Sequence, residues 1–189
     1  MSTPQSLHDI RFCPVCGHES FQPQLEIIDH GGYLFPHSFH CTNCGFKFYI
    51  NGAASTMALI RDEQGRILFL RRNREPKKGT LDLPGGFLNP GERAEHGIAR
   101  EIREETNLII STYELFHKTY CNTYEYGGVR YQTLDLVFIC TVESWDDLRA
   151  NDPEEGEPVL LCSDTINPEQ IGLDSVRRFV TDYLRLDNH

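Results

Sequence analysis

Three carboxylates carry the clearest chemical signal in this sequence: Glu101, Glu104 and Glu105, spaced i, i+3 and i+4. On an α-helix that spacing puts all three on one face, while Ala94, Ile98 and Ile102 are left to point toward a core. Three like charges on one face destabilise a helix unless something positive sits among them. A hard divalent cation such as Mg²⁺ takes oxygen ligands, keeps part of its water shell and leaves positions for substrate phosphates. The turn Pro84-Gly85-Gly86 delivers backbone close to the helix, and Glu92 and Arg100 carry the charges to pair and hold the loop against it. Taken alone, the string Glu-Ile-Arg-Glu-Glu reads as a solvated acidic face; the glycine turn and the flanking pair argue for a metal site.

A second constellation lies near the N-terminus. Cys13-Pro-Val-Cys16-Gly and Cys41-Thr-Asn-Cys44-Gly repeat one device, two thiolates on a tight turn followed by a glycine that permits the bend. Two such knuckles supply four ligands to a tetrahedral Zn²⁺, with a longer connection than usual between them. His18, His30, His37 and His40 are less fitting ligands where four cysteines are already paired. Between Met1 and Gly52 only Arg11 and Lys47 are basic, against Asp9, Glu19, Glu26 and Asp29, so this module is a poor binder of nucleic acid and its zinc reads as structural.

The elements that must position these residues follow from pattern. Composition shifts near residue 52, which divides the chain into a ribbon at 1–52 and a main domain at 53–189. Residues 53–60 and 66–72 read as strands joined by turn residues Asp62 to Gly65, an expected hairpin. Residues 81–92, rich in Gly and Pro, read as a loop, and 93–108 as an amphipathic helix closed by Asn107. Residues 113–124 and 129–142 suggest a second hairpin, 157–163 another strand, and 173–186 a last helix capped by Asp174. Mixed strands and helices predict an α/β fold, a mixed sheet flanked by helices.

Bulk properties bound the function. The 189 residues suffice for one main core and a small module, and 39% hydrophobic with 24% charged residues are globular values. No apolar run approaches the ~20 residues of a membrane span, and the start lacks the marks of a secretory signal, so a cytoplasmic protein is expected. A net charge of −10 disfavours long nucleic acid as a partner but admits a small anionic substrate bridged by cations. Cys121, Cys140 and Cys162, each alone in an apolar context, are expected as small core residues. Whether the chain forms a homodimer is left open.

The spacing of residues 86–108 resembles the Nudix box: G, five residues, E, seven residues, R-E-U-x-E-E-x-G-U, with U a bulky aliphatic. Gly86, Glu92, Arg100, Glu101, Ile102, Glu104, Glu105 and Leu108 fall in register, and Asn107 stands where the last glycine is usual. The lead-in Leu81 to Phe87 is similar to that of many members, with Leu81 in place of Trp, and the ribbon looks like that of the NADH pyrophosphatase branch. The string SQPWPFPxS of NADH-specific members is missing, which puts NADH in doubt as the preferred substrate. The resemblance implies an α/β/α sandwich and hydrolysis of a nucleoside diphosphate linked to some moiety X. It implies metal ligation (Mg²⁺ or Mn²⁺) by Glu101, Glu104, Glu105 and the Gly85 carbonyl, one glutamate being a candidate base, with Arg100 and Glu92 as orienting residues. Glu154, Glu155 and Glu157 are candidates for a further carboxylate, and Tyr120, Tyr124, Tyr126 or Tyr131 for stacking on a base. The alternatives are a Nudix-like sensor that holds a nucleotide without cleaving it, which has no need of the glutamate cluster, and an enzyme acting on RNA ends, which the acidic ribbon disfavours.

Overall fold

The computed structural model describes residues 11–19, 21–27, 34–49, 51–126, 129–151 and 156–187. The chain divides into two compact units, Met1–Gly52 with Glu125–Tyr131, and Ala53–Tyr124 with Gln132–His189.

In the first unit, β1 (Phe21–Ile27), β2 (Leu34–Cys41) and β3 (Lys47–Tyr49) form an antiparallel sheet in that order. The two cysteine turns have the same geometry: the N–H of Gly17 donates to the Cys13 carbonyl at 2.8 Å and that of Gly45 to the Cys41 carbonyl at 3.0 Å. Both glycines sit at positive φ, 70° and 75°, which explains their place after each second cysteine. The buried apolar cluster among the described residues is small: Phe39, Cys13 and Cys41, with Phe46 packed against them. A cluster of that size does not hold a fold by itself.

The second unit opens with β4 (Ala53–Ile60) and β5 (Ile67–Arg72), where the residue pattern predicts strands. They do not form the expected hairpin ladder. One bridge, Arg61 to Ile67, joins them, and the strands then part into different sheets. The reason is burial: Thr56 through Ile60 are all buried, so both faces of β4 need cover, which a two-stranded ribbon does not supply. The expected loop after β5 contains two short strands, β6 (Leu81–Asp82) and β7 (Gly85–Phe87). Helix α1 (Ala94–Thr106), strands β8 (Ile110–Tyr126), β9 (Val129–Val142) and β10 (Gly156–Leu161), and helix α2 (Asp174–Asp187) follow. The turn residues between β8 and β9 lie outside the described residues. Asp174, expected as a cap, is instead the first residue of α2, where its carboxylate pairs with Arg178 at 3.2 Å.

A mixed sheet runs β7-β4-β9-β8, with β4 parallel to β9 and antiparallel to β7; a smaller antiparallel sheet runs β10-β5-β6. Alternate residues of the central strands feed opposite layers, as a period of two requires. Met57, Leu59 and Val137 pack with Val176, Phe179 and Val180 of α2, while Ala58, Ile60, Phe138 and Cys140 pack with Ile98 and Ile102 of α1. The result is the α/β/α sandwich that the resemblance implies. Cys140 is buried as expected, but Cys121 and Cys162 are exposed. Cys121 alternates with buried Tyr120 and Asn122 on β8 and so points outward, and Cys162 lies past the end of β10. No helix among the described residues is long and apolar enough to cross a membrane.

Candidate active site

Helix α1 is anchored by Ile98 and Ile102, both fully buried against the sheet. It stops at Asn107, whose backbone is left-handed at φ 60° and ψ 7° and whose N–H donates to the Arg103 carbonyl. Asparagine is the residue after glycine that best tolerates this conformation, so the departure from the box leaves the cap intact. Beyond it, the Asn107 side-chain amide donates to the Asp147 carbonyl at 3.3 Å, and the N–H groups of Arg149 and Asn151 donate to the Thr106 and Glu105 carbonyls at 3.2 and 3.1 Å. The last carbonyls of the helix thus find partners in the following loop. Sequence reasoning gives this acidic loop no such capping role, since backbone donors leave no mark in residue type.

The glycine turn is packed to its limit. A methyl on Gly85 would meet the Thr56 carbonyl oxygen at 2.1 Å, at a φ of 145°, and one on Gly86 would meet the Glu101 carboxyl carbon at 2.7 Å. Gly85 donates its N–H to Glu105 Oε2 at 2.8 Å. Glu101 and Glu105 therefore converge on consecutive glycines, and Glu104, 59% exposed at its side chain, projects into solvent beside them.

Arg100 ties the cluster together. Its Nε and Nη2 donate to the two oxygens of Glu92 at 2.9 and 2.8 Å, a bidentate pair. Its Nη1 donates to Glu101 at 2.7 Å and to Glu104 at 3.0 Å, and Nη2 reaches the Phe87 carbonyl at 3.1 Å. The guanidinium beside Glu92, with the Asn89 N–H on the same carboxylate, draws the Glu92 pKa down to about 2. Glu92 in turn raises the Arg100 pKa above its ordinary value. A carboxylate held that low is a weak proton acceptor near neutral pH, so Glu92 acts as a tether.

One guanidinium faces Glu92, Glu101 and Glu104, with Glu105 adjacent, and the cluster keeps a net negative charge made of hard oxygen donors. That donor set suits Mg²⁺ or Mn²⁺. In the other unit, the Sγ atoms of Cys13 and Cys44, and of Cys16 and Cys41, lie 3.7 Å apart, and all four fall within 4.8 Å of one another. A tetrahedron with Zn–S bonds of ~2.3 Å has an edge of about 3.8 Å, so the four sulfurs fit zinc.

Other candidates fare differently. Tyr120 is buried, its ring edge-on to Phe179 at 5.7 Å and its hydroxyl donating to Asp182 at 3.0 Å, so it packs rather than stacks on a ligand. The side chains of Tyr124, Tyr126 and Tyr131 lie outside the described residues, as do Glu154 and Glu155. Glu157 is exposed on β10, opposite Arg71 of β5 in the smaller sheet. Thr56, opposite Gly86 on β4, is buried with no hydrogen-bond partner for its hydroxyl among the described residues, and nothing in an apolar strand sequence marks it out.

A helix that turns glutamates toward a glycine loop on a mixed sheet, within an α/β/α sandwich, defines the Nudix class of hydrolases. The sequence pattern of the NUDIX domain matches residues 52–180, and the chain belongs to that family. It is 29% identical over 143 residues to an ADP-ribose pyrophosphatase of Methanocaldococcus jannaschii, covering 76% of this chain and 79% of that protein. It is also 29% identical over 109 residues to the NAD-capped RNA hydrolase NudC of Haemophilus influenzae, covering 56% of this chain but only 37% of that one. Among solved structures, a NUDIX hydrolase from Nitrosomonas europaea superposes with a TM-score of 0.67 at 23% identity, covering 95% of this chain and 93% of its own. The MutT protein of Methanosarcina mazei gives 0.54 at 27%, covering 72% and 94%.

Proposed function

We propose that this Nudix hydrolase cleaves the pyrophosphate bond of a small nucleoside diphosphate derivative, releasing two phosphomonoesters, and that Glu101, Glu104, Glu105 and the Gly85 carbonyl hold the Mg²⁺ or Mn²⁺ it needs. The observation that carries the reading is the convergence of Glu101 and Glu105 on Gly86 and Gly85, with Arg100 fixing the remaining carboxylates around them. The relatives named for ADP-ribose and for NAD-capped RNA both act on a nucleotide joined through a diphosphate, which supports the substrate class. When bound, the cations neutralise phosphate charge and make a coordinated water more acidic. The protein's own part is positional. Arg100 and Glu92 clamp the loop to α1, the Gly85 N–H orients Glu105, and Glu104 reaches solvent, where a water is available. Cys13, Cys16, Cys41 and Cys44 hold a structural Zn²⁺ in the same proposal.

The test is a panel of pyrophosphate-linked nucleotides assayed with Mg²⁺ and Mn²⁺ in ¹⁸O-labelled water. Two monophosphates, one carrying the label, are the expected products. A labelled phosphodiester, or no turnover of any compound in the panel, overturns the proposal.

A further inference from the structure

The face of the mixed sheet turned toward α2 changes character along its length. Met57, Leu59 and Val137 make it apolar and buried, but two residues earlier on β4 and β9 the same face carries Ser55, Asp135 and, beyond it, Thr133. On β8, Asn122 stands two residues past Tyr120, whose ring packs on α2, and so shares that face. Ser55 is half-buried and the other three are buried: Thr133 is 5% exposed, Asp135 6% and Asn122 6%.

One of them lacks a hydrogen-bond partner among the described residues. The parallel register sets Ser55 beside Asp135, and the Ser55 hydroxyl donates to Asp135 Oδ1. Thr133 Oγ1 has no hydrogen-bond partner among the described residues. Buried hydroxyls are almost always paired, so an unpaired one at the edge of a candidate site points to something that completes it. Close by in electrostatic terms is a second buried carboxylate, Asp82, which accepts from Arg72 Nη1 at 2.6 Å and from the Leu83 N–H at 3.0 Å. Burial pushes its pKa up to about 6 against the pull of Arg72, and the charge of Asp135 adds to the rise.

The polar end adjoins the glycine turn. Ser55 pairs with Phe87 and Thr56 with Gly86, and Asp135 lies one strand beyond Ser55, two strand spacings or about 10 Å from the glycine-turn strand. That is the order of distance by which a ribose separates a nucleobase from its diphosphate. An ionised carboxylate only accepts hydrogen bonds, whereas hydroxyl and amide groups both donate and accept. A ligand edge that suits them offers an N–H beside a ring nitrogen.

We infer that Ser55, Asn122, Thr133 and Asp135 form a subsite for the amino-bearing edge of the substrate's nucleobase. Asp135 accepts from the exocyclic amine, Thr133 or Asn122 meets the neighbouring ring nitrogen, and keto bases are disfavoured because their carbonyl would face the carboxylate. The inference rests on the nucleoside diphosphate reading and deepens it.

Calorimetry of AMP and IMP binding to the full chain, with Mg²⁺ present, separates the two. AMP is expected to bind at least about 10-fold more tightly than IMP, the scale of one hydrogen bond to a charged group. Asp135→Asn should collapse that ratio toward one. Thr133→Val gives an independent arm with little risk to folding: it should weaken AMP binding while raising Tm, because it removes an unpaired buried hydroxyl. A raised Tm with unchanged AMP affinity, together with an Asp135→Asn variant that keeps the parent ratio, means the groups are only structural or hydrated and overturns the inference. Preference for AMP without cleavage of any pyrophosphate leaves the subsite standing and removes the hydrolytic reading. Equal kcat/KM on ADP-ribose and inosine diphosphate ribose does the reverse.

Discussion

Glu104 and Glu105 are neighbours in sequence, yet their substitution by glutamine separates function from stability in different ways. Glu104 is exposed and its contact with Arg100 is a surface pair, worth about 0–1 kcal/mol. Glu104→Gln should lower turnover by at least about 100-fold, the scale of a well-placed electrostatic contributor, and leave the thermal midpoint unchanged. Glu105 is buried and accepts the Gly85 N–H, so Glu105→Gln should lose activity similarly but also cost about 1–3 kcal/mol as an amide donor enters a buried position. Parent-like rates for both on every substrate cleaved by the parent would remove these residues from the site. Two other carboxylates bend the pH dependence in opposite directions. Glu92 falls from an ordinary 4.5 to about 2 in the folded protein, so its contribution is complete above pH 4.5 and is lost as pH falls toward 2. Asp82 rises from 3.8 to about 6, so the folded state binds more protons in that window and stability is lost as pH rises through it. Asp82 contributes a downward slope to urea titrations between pH 4 and 6, and Asp82→Asn should flatten that part and lower stability chiefly above pH 6, where Arg72 loses an ionised partner. An unchanged slope in that variant refutes the assignment.

At the scale of the element, α1 depends on how it ends. Asn107 holds a left-handed backbone, so Asn107→Ala should cost about 1–2 kcal/mol in urea unfolding, while Asn107→Gly should stay within about 0.5 kcal/mol of the parent. Equal losses would place the cap's value in the side-chain bond to Asp147 instead. This helix was legible in advance because Ala94, Ile98 and Ile102 recur with the helical period and Asn107 is a stop signal, and the same window holds Glu101, Glu104 and Glu105, three of the four residues proposed to hold Mg²⁺. Strand positions were legible too, but not their partners. Asp62 to Gly65 make a good turn, and local pattern alone joins β4 to β5 as a hairpin; the partners of β4 are β7 and β9, and no short-range signal encodes those pairings. Strands of two and three residues, β6 and β7, are shorter than any periodicity resolves. Polar residues such as Ser55, Thr133 and Asp135 read as the solvent side of an alternating strand until the layer that covers them is known.

On the scale of the whole molecule the chain joins two units that rest on different forces, a large apolar core in one and, on our reading, a metal in the other. Removing zinc with a thiol reagent should release one equivalent and strip hydrogen-exchange protection from Cys13–Gly17 and Cys41–Gly45, leaving α1 and its sheet protected. Chelating Mg²⁺ alone should abolish activity reversibly with zinc retained, since thiolates hold zinc more tightly than carboxylates hold magnesium. Full activity without added divalent cation would refute the second half. The parallel pairing of β4 with β9 also bears on how the protein is made. Ser55 and Asp135 meet across 80 positions of sequence, so β4 leaves the ribosome long before its central partner exists. Closing so long a loop delays the transition state of folding, as a high contact order does generally. Helix α1 is synthesised in that interval, and its apolar stripe of Ile98 and Ile102 has no finished sheet to rest on until β9 emerges. Stalled nascent chains ending before Thr133 should therefore be cut readily by protease within α1, and those extended past Val142 should resist it. Demand for chaperones during synthesis should follow that gap between two strands more than the stability of the finished fold.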